Sequence, residues 1–288
     1  MIPNAHYELL DFGQNEKLES FGGTVVRRQT PSAMGNRNQD AQWDSFDLRG
    51  TSTNQGFHWT GSIPDPWWID TGTFRLNLRA TPTGQIGVFP EQSQNWNWIT
   101  NSRLDLTGLR AINLFAYTGG TSLALASRGA QVVHVDAAKS VVNWARSNAK
   151  ESKLESAPIR WIVEDAMTFV QREVKRGNRY DVIVADPPSF GRGPAGTTWK
   201  IQRDLEPLID LLAELTAGNC KMILVSCHTP GIDHAVLGKT LRRAIDLHDG
   251  LAESFEMSLV SSTGRSLPSG SCFRWMKQHG GAGQRRGS

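Results

Sequence analysis

From residue 101 onwards, short uninterrupted apolar segments alternate with segments of helix length, and this alternation constrains the fold more than any other feature. Strands without polar alternation must be covered on both faces, as in a parallel sheet between two layers of helices. Five such strands are predicted at 111–116, 131–135, 159–163, 180–185 and 221–226, followed by two closing strands at 251–260 and 271–276. The sequence therefore predicts an α/β fold, a Rossmann-like doubly wound, mostly parallel seven-stranded sheet.

The first 100 residues have a different character. They hold six of the ten Trp residues, set among Gly, Asn, Thr and Pro with little helical periodicity. Residues 73–80 alternate apolar and polar side chains, which predicts a half-buried strand. We predict a Trp-rich, β-containing N-terminal extension over 1–100, the main α/β domain over 101–279, and a disordered tail over 280–288.

Ligands of doubly wound sheets bind at the carboxyl ends of the strands, so the residues that follow each strand are the candidates. Asp136 follows the second strand, where its carboxylate can accept two hydrogen bonds from a ribose diol. Asp165 and Ala166 follow the third strand, where the Asp carboxylate suits an adenine amino group. The candidates after the first strand are Asn113, Phe115, Ala116, Tyr117, Thr118, Gly119 and Gly120. A turn or a helix cap explains each feature alone, but together they predict a cofactor that contains a nucleoside.

The composition of the glycine loop restricts which cofactor this is. The three-glycine dinucleotide motif and the phosphate-binding GxxxxGK[ST] motif are both absent, and the loop has no Lys or Arg to meet phosphate charge. An adenosine that carries no phosphate fits these facts. We therefore predict S-adenosylmethionine, whose sulfonium is already positive.

The fourth and fifth strands deliver the candidate substrate-binding residues. Asp186, Pro187, Pro188 and Phe190 form a rigid loop with a carboxylate and an aromatic ring, which suits a planar substrate. A strand-ending turn with a core Phe is the alternative. Cys227 follows the fifth strand, where it is either a nucleophile or an inert core residue.

Five motifs together resemble the class I S-adenosylmethionine-dependent methyltransferases: NLFAYTGG at 113–120, VD at 135–136, ED at 164–165, DPPSF at 186–190 and VSCH at 225–228. The nearest branch contains bacterial large-subunit rRNA methyltransferases, including cytosine-C5 enzymes and relatives that methylate guanine. The resemblance covers about residues 85–275. It implies that Phe89 and Gln92 contribute to the cofactor pocket, although Ser93 stands where this branch usually has Arg.

The resemblance also implies a chemistry. Cys227 matches the cysteine that attacks carbon 6 of cytosine, Asp186 would hold the polar edge of the base, and Phe190 would stack on it. The favoured expectation is therefore methylation of cytosine carbon 5 in rRNA. Three alternatives remain open: methylation of a base nitrogen with a structural Cys227, a non-RNA acceptor, and a cofactor-binding scaffold without turnover.

Charge and composition set the remaining expectations. The net charge of +3 divides into −3 over residues 1–100 and +6 over 101–288, which permits RNA binding without requiring it. No stretch approaches the roughly 18 apolar residues of a membrane span, no secretory signal is visible, and the three cysteines form no CxxC pair. We expect a cytoplasmic protein without a membrane segment or metal site. The sequence gives no oligomeric state.

Overall fold

The computed structural model describes residues 6–193 and 196–278; the predicted tail at 280–288 lies outside these residues. Two small sheets form the N-terminal part. Their strands are β1 (Tyr7–Gly13), β2 (Glu16–Phe21), β3 (Thr24–Gln29), β4 (Leu48–Thr53), β5 (Gly56–Gly61), β6 (Trp68–Asp70) and β7 (Arg75–Asn77). The first five make one sheet in chain order, and the last two pair as a short ribbon. A 3-10 turn at Pro90–Gln92 then leads into helix α1 (Ser93–Thr100).

The second part alternates strands and helices as the sequence predicts. The elements in chain order are β8 (Arg110–Leu114), α2 (Gly120–Ala126), β9 (Gln131–Asp136), α3 (Lys139–Glu151), β10 (Ile159–Val163), α4 (Ala166–Lys175), β11 (Val182–Ala185), β12 (Phe190–Arg192), β13 (Thr198–Lys200), α5 (Ile201–Thr216), β14 (Met222–Cys227), α6 (His234–Ala244), β15 (Gly250–Val260) and β16 (Ser266–Lys277). Strands β12 and β13 form a small hairpin beside the main sheet.

Seven of these strands form the central sheet, which confirms the predicted fold class. Their order is β10-β9-β8-β11-β14-β16-β15, and only the β16 pairings, with β14 and β15, are antiparallel. From β8 the chain adds β9 and then β10 on one side. It then crosses back and places β11 on the other side of β8. The reversal of strand order between β8 and β11 opens the crevice in which such sheets bind their ligands.

One hydrophobic core joins the two parts of the chain. Phe21 and Val26 of the N-terminal sheet belong to the same buried cluster as Val184 and Leu224 of the central sheet. Trp96 of α1 lies in this cluster and is 6% exposed. The N-terminal part is therefore packed against the central sheet, and its residues can contribute to a site at the edge of that sheet.

The strand predicted at 73–80 forms only in part. Its alternation is real, since Phe74, Leu76 and Leu78 are buried, but β7 ends at residue 77. Beyond it the backbone bonds to separate segments, with the Leu78 amide donating to Trp67 and the Arg79 amide to Ile86. The alternation of apolar and polar residues therefore predicted the buried face correctly, whereas the length of the strand depended on the segments with which its backbone pairs.

Candidate functional site

A cleft of about 510 Å³ opens at the carboxyl ends of β8, β9 and β11. It continues into a narrow hollow beneath the glycine loop, because Phe89, Phe115, Tyr117 and Asp186 line both spaces. The predicted cofactor residues that line only the cleft are Asp136, Asp165 and Ala166. Those that line only the hollow are Gln92, Asn113, Ala116, Thr118, Gly119 and Gly120. The structure thus brings all of the predicted cofactor residues together.

The glycine loop has an unusual backbone. The backbone φ values of Phe115, Tyr117 and Gly119 are positive, at 54°, 49° and 92°. Residues other than Gly rarely adopt this region. Several hydrogen bonds hold the loop. Among them, the Tyr117 amide donates to Asp136 Oδ2 at 2.9 Å, and Thr118 Oγ1 donates to the Gly87 carbonyl at 2.7 Å. Strained residues of this kind persist where surrounding contacts fix them, and they cluster at binding sites.

The second glycine of this loop is required by packing. A Cβ on Gly120 would lie 2.5 Å from the Trp96 ring, closer than carbon atoms pack. The Trp96 indole is itself fixed, because its Nε1 donates to Thr121 Oγ1 at 3.1 Å. Thr121 therefore anchors α1 rather than capping α2, and the loop, α1 and α2 form one rigid unit.

Asp136 and Asp165 face the same cleft from the ends of β9 and β10. Asp136 Oδ1 accepts a hydrogen bond from the Ala138 amide and Oδ2 accepts one from Tyr117, which orients the carboxylate. Burial raises the pKa of Asp136, partly offset by these backbone donors. Asp165 Oδ1 caps α4 by accepting from the Thr168 amide. Each carboxylate keeps accepting capacity for a ligand.

Asn113 belongs to a buried polar row that sequence reasoning missed. Its Nδ2 donates to Ser122 Oγ at 2.9 Å, and that oxygen lies 3.0 Å from His134 Nδ1. Burial lowers the pKa of His134 to about 3, so the imidazole is neutral at pH 7. The row connects β8, α2 and β9 directly beneath the glycine loop. The sequence predicts Asn113 only as a cofactor residue, and no local pattern shows that Ser122 and His134 would meet it from separate elements.

Asp186 is the centre of the polar network at the opposite side of the site. Its Oδ1 accepts from Ser226 Oγ at 2.7 Å, and its Oδ2 accepts from Gln92 Nε2 at 3.1 Å. His228 Nε2 lies 3.3 Å from Oδ1. Burial alone would raise the pKa of Asp186, but His228 and the hydrogen bonds hold it below its usual value. The carboxylate is therefore ionised and keeps little accepting capacity for a ligand.

His228 and Glu91 complete the polar network around Asp186. His228 lies between two carboxylates, with Nδ1 3.7 Å from Glu91 Oε1 and Nε2 toward Asp186. Burial alone would lower the pKa of His228, yet these carboxylates raise it to about 9. An imidazolium thus connects the 3-10 turn to the end of β14. The signal available in sequence was the unusual His after Ser226 and Cys227.

The pH dependence of stability follows from this raised pKa. The ion pairs of His228 stabilise the fold fully below the ordinary His pKa of 6.5, and their contribution is lost as pH rises through about 9. We expect the native protein to be more stable than His228→Gln at pH 7, with the difference shrinking toward pH 10. Urea unfolding of both proteins across this range measures the effect, and a difference that grows with pH would contradict it.

The Asp-Pro-Pro loop is held rigidly in place. Pro187 and Pro188 line the cleft, and the Pro188 carbonyl accepts a hydrogen bond from Trp199 Nε1 at 2.6 Å. Trp199 also packs against Phe115, with ring centroids 5.0 Å apart. Phe190, predicted to stack on the substrate, begins β12 and is 53% exposed outside the cleft wall.

Cys227 does not face the cleft. Its side chain is 1% exposed and belongs to the hydrophobic cluster that includes Val225 and Phe273. Burial raises the pKa of the Cys227 thiol, which lowers the fraction of reactive thiolate. This position is typical of a structural cysteine. It does not favour the nucleophilic role predicted from the sequence.

The side chains of the site fit S-adenosylmethionine. The cleft wall combines the aromatic rings of Phe89, Phe115 and Tyr117 with three carboxylates. Among the described residues its cationic groups are Arg192 and the His228 imidazolium, so carboxylates outnumber cations in the wall. Such a wall suits a cationic ligand with an adenosine group and disfavours polyphosphate. Within 6–193 and 196–278, no group of three or more His, Cys, Asp or Glu is arranged to hold a metal ion.

The fold and this site define a doubly wound α/β protein with a cleft suited to a cofactor that contains a nucleoside. Comparison with known proteins identifies the family. The family model described as S-adenosylmethionine-dependent methyltransferase matches residues 13–258. The chain therefore belongs to this family, and it is an S-adenosylmethionine-dependent methyltransferase. A solved S-adenosylmethionine-dependent methyltransferase from Agrobacterium tumefaciens is similar along 94% of this chain and 90% of its own, with 32% identity and a TM-score of 0.87.

Curated relatives match over shorter lengths. A ribosomal RNA large subunit methyltransferase K/L from Pseudoalteromonas atlantica is 40% identical over 95 residues, which is 32% of this chain and 13% of the relative. A ribosomal RNA large subunit methyltransferase K from Neisseria meningitidis serogroup B is 32% identical over 114 residues, 39% of this chain and 32% of the relative. The chain thus covers a third or less of these relatives. In the described part of the chain, no helix combines the length and apolar character needed to cross a membrane.

Proposed function

We propose that this enzyme methylates a base in RNA, with ribosomal RNA of the large subunit as the acceptor. The observation that carries the proposal is the convergence of Asp186, Pro187 and Pro188 on the wall of the cofactor cleft. Two successive prolines make this wall rigid, and a rigid wall beside the cofactor cleft suits a planar base. The named rRNA methyltransferases among the relatives support the same acceptor class. An enzyme of this kind would work in the cytoplasm.

The site residues have distinct roles in this proposal. Asp136 and Asp165 would hold the ribose and the adenine of the cofactor, and Phe89, Phe115 and Tyr117 would keep water away from its sulfonium. When bound, S-adenosylmethionine supplies an electrophilic methyl group. Pro187 and Pro188 would orient the base, while Asp186 fixes Gln92, Ser226 and His228 around it. Orientation of this kind contributes up to about 7–11 kcal/mol to well-positioned reactions.

We infer that the acceptor atom is a nitrogen of the base rather than carbon 5 of cytosine. Methylation of carbon 5 by the expected route requires a thiolate that reaches carbon 6, and the buried thiol of Cys227 is 1% exposed. A base nitrogen would take the methyl group directly as the methyl–sulfur bond breaks and S-adenosylhomocysteine leaves, and the nitrogen would then lose its proton to solvent. No covalent intermediate with the enzyme is needed on this route. The burial of Cys227 is the specific observation that favours methylation of a base nitrogen over methylation of cytosine carbon 5.

The test combines identification of the product with a variant at Cys227. Unmethylated RNA is incubated with the enzyme and labelled cofactor, digested to nucleosides, and analysed by mass spectrometry. We expect a nucleoside methylated on a base nitrogen. We also expect Cys227→Ala to keep the rate within about threefold, since a small core truncation affects stability more than chemistry.

Two outcomes would contradict these inferences separately. A folded Cys227→Ala protein that binds cofactor but transfers no methyl group, together with 5-methylcytidine as the native product, would restore the covalent mechanism. Absence of label in RNA, with label in a protein or small-molecule fraction, would contradict RNA as the acceptor. Cofactor binding without transfer to any fraction would favour the scaffold alternative.

A further inference from the structure

A second groove, of about 350 Å³, lies between the N-terminal sheet and the catalytic domain. One wall comes from β2, β3 and the turns near residues 32 and 83, and the other from the 3-10 turn and the start of β16. Its volume falls within the range of small-molecule sites, roughly 300–1,000 Å³. None of the sequence motifs predicts it, because its two walls are far apart in the chain.

This groove meets the cofactor cleft at two shared side chains. Among the described residues, Phe89 and His228 are the members of both linings. Their rings lie 6.2 Å apart with 30° between the planes, and Gly270 lets the backbone approach His228 closely, since a Cβ there would lie 2.7 Å from Nδ1. Methyl transfer requires donor and acceptor to meet, and these two side chains mark where the two spaces adjoin.

The groove does not have the charge of a phosphate site. Lys17 and Arg28 lie in its lining, but both are ion-paired with the buried Glu19, at 3.0 and 2.6 Å. The other lining side chains of the N-terminal wall are neutral, and they include hydroxyl and amide groups and the ring of Phe57. An aromatic ring with neutral donors and acceptors suits a planar heterocycle and its ribose.

We propose that this groove receives one unstacked nucleoside of the acceptor RNA and presents its base to the cofactor cleft at Phe89 and His228. The proposal rests on the proposed function, and it adds the acceptor subsite and a role for the N-terminal sheet. The phosphates on either side of the nucleoside remain outside, at the exposed rim. The N-terminal part thereby becomes half of the acceptor site rather than a separate appendage.

The experiment fills the groove from its N-terminal wall. Ser32→Trp and Thr83→Trp each place a large ring at an exposed turn position in the lining, so neither substitution disturbs the core. Thr60→Trp is the matched control, because Thr60 is an exposed residue of β5 outside the groove lining. We expect both groove variants to raise the KM for RNA about tenfold or more, with an unchanged Kd for S-adenosylhomocysteine by calorimetry. The control should behave as the native protein.

Each other outcome overturns a stated part of the argument. Groove variants with the same KM as Thr60→Trp would overturn the groove and leave RNA methylation standing. A parallel loss of S-adenosylhomocysteine affinity would also overturn it, because the substitutions would then act through the cofactor cleft. No transfer to RNA by the native protein would overturn the proposed function and the groove's ligand together.

Discussion

Asp186→Ala is expected to reduce methyl transfer by at least about a hundredfold in a protein that still folds. The carboxylate accepts hydrogen bonds from Ser226 and Gln92 and faces His228, so its removal releases three donors at once. Ser226 is fully buried and Gln92 is 6% exposed, and each buried donor left without an acceptor costs about 1–3 kcal/mol. Rates under saturating cofactor, together with thermal unfolding, measure both effects.

A carboxylate at the other end of the same strand provides the control. Asp181 precedes β11 and accepts from the Arg110 amide at 2.9 Å and from Asn219 Nδ2 at 2.7 Å, far from the cleft lining. Asp181→Ala should therefore lower stability with little change in rate. Asp186→Asn keeps the shape of the side chain but replaces one acceptor with a donor, so an intermediate rate is expected. Equal losses of activity in Asp181→Ala and Asp186→Ala would contradict a specific role for Asp186.

The catalytic half of the fold could be predicted because its physical signal is local. A strand buried on both faces is predominantly apolar, and β8, β9, β11 and β14 lie within a few residues of their predicted positions. The residues at the strand ends could also be predicted, since the carboxyl ends of parallel strands share one edge of the sheet. The strand topology therefore places residues from separate motifs in one site.

The N-terminal half could not be predicted in the same way because its signals are non-local. The five-stranded sheet pairs β3 with β4 in parallel, across a loop that gives no periodic pattern. Gln92 and Asp186 are 94 positions apart and meet through packing of the 3-10 turn against the central sheet. The ion pair of Glu91 with His228 depends on the same packing, so no spacing rule could reveal it.

The position of Cys227 shows a limit of motif reasoning. The motif predicted the residue at the end of the fifth strand correctly, but the direction of its side chain depends on register within the sheet. Successive side chains of a strand point to opposite faces, so Ser226 faces Asp186 whereas Cys227 enters the core. A pattern of residue types at a strand end therefore does not decide which of two neighbours meets the ligand.

Asp136→Ala is expected to weaken the binding of S-adenosylmethionine about 10- to 100-fold, because a hydrogen bond to a charged group contributes about 1.5–3 kcal/mol. The carboxylate lines the cleft and accepts from the Tyr117 amide, so its removal also frees a loop residue with φ of 49°. The Kd of S-adenosylhomocysteine, measured by calorimetry, should rise by this factor. The rate should recover largely when the cofactor is raised to saturation, because Asp136 does not contact Asp186 or the acceptor loop.

Glu164→Ala is the matched control for this loss of affinity. Glu164 follows the neighbouring strand β10 and is ion-paired with Arg172 at 2.8 Å outside the cleft lining, so its removal deletes a carboxylate at the same sheet edge without touching the site. The affinity of Glu164→Ala for the cofactor should stay within about twofold of the native value, because the loss of a surface ion pair has little effect. If Asp136→Ala were equally mild, the glycine loop would bind its ligand without the ribose contact, and the adenosine would have to be held by Asp165 and the aromatic walls alone.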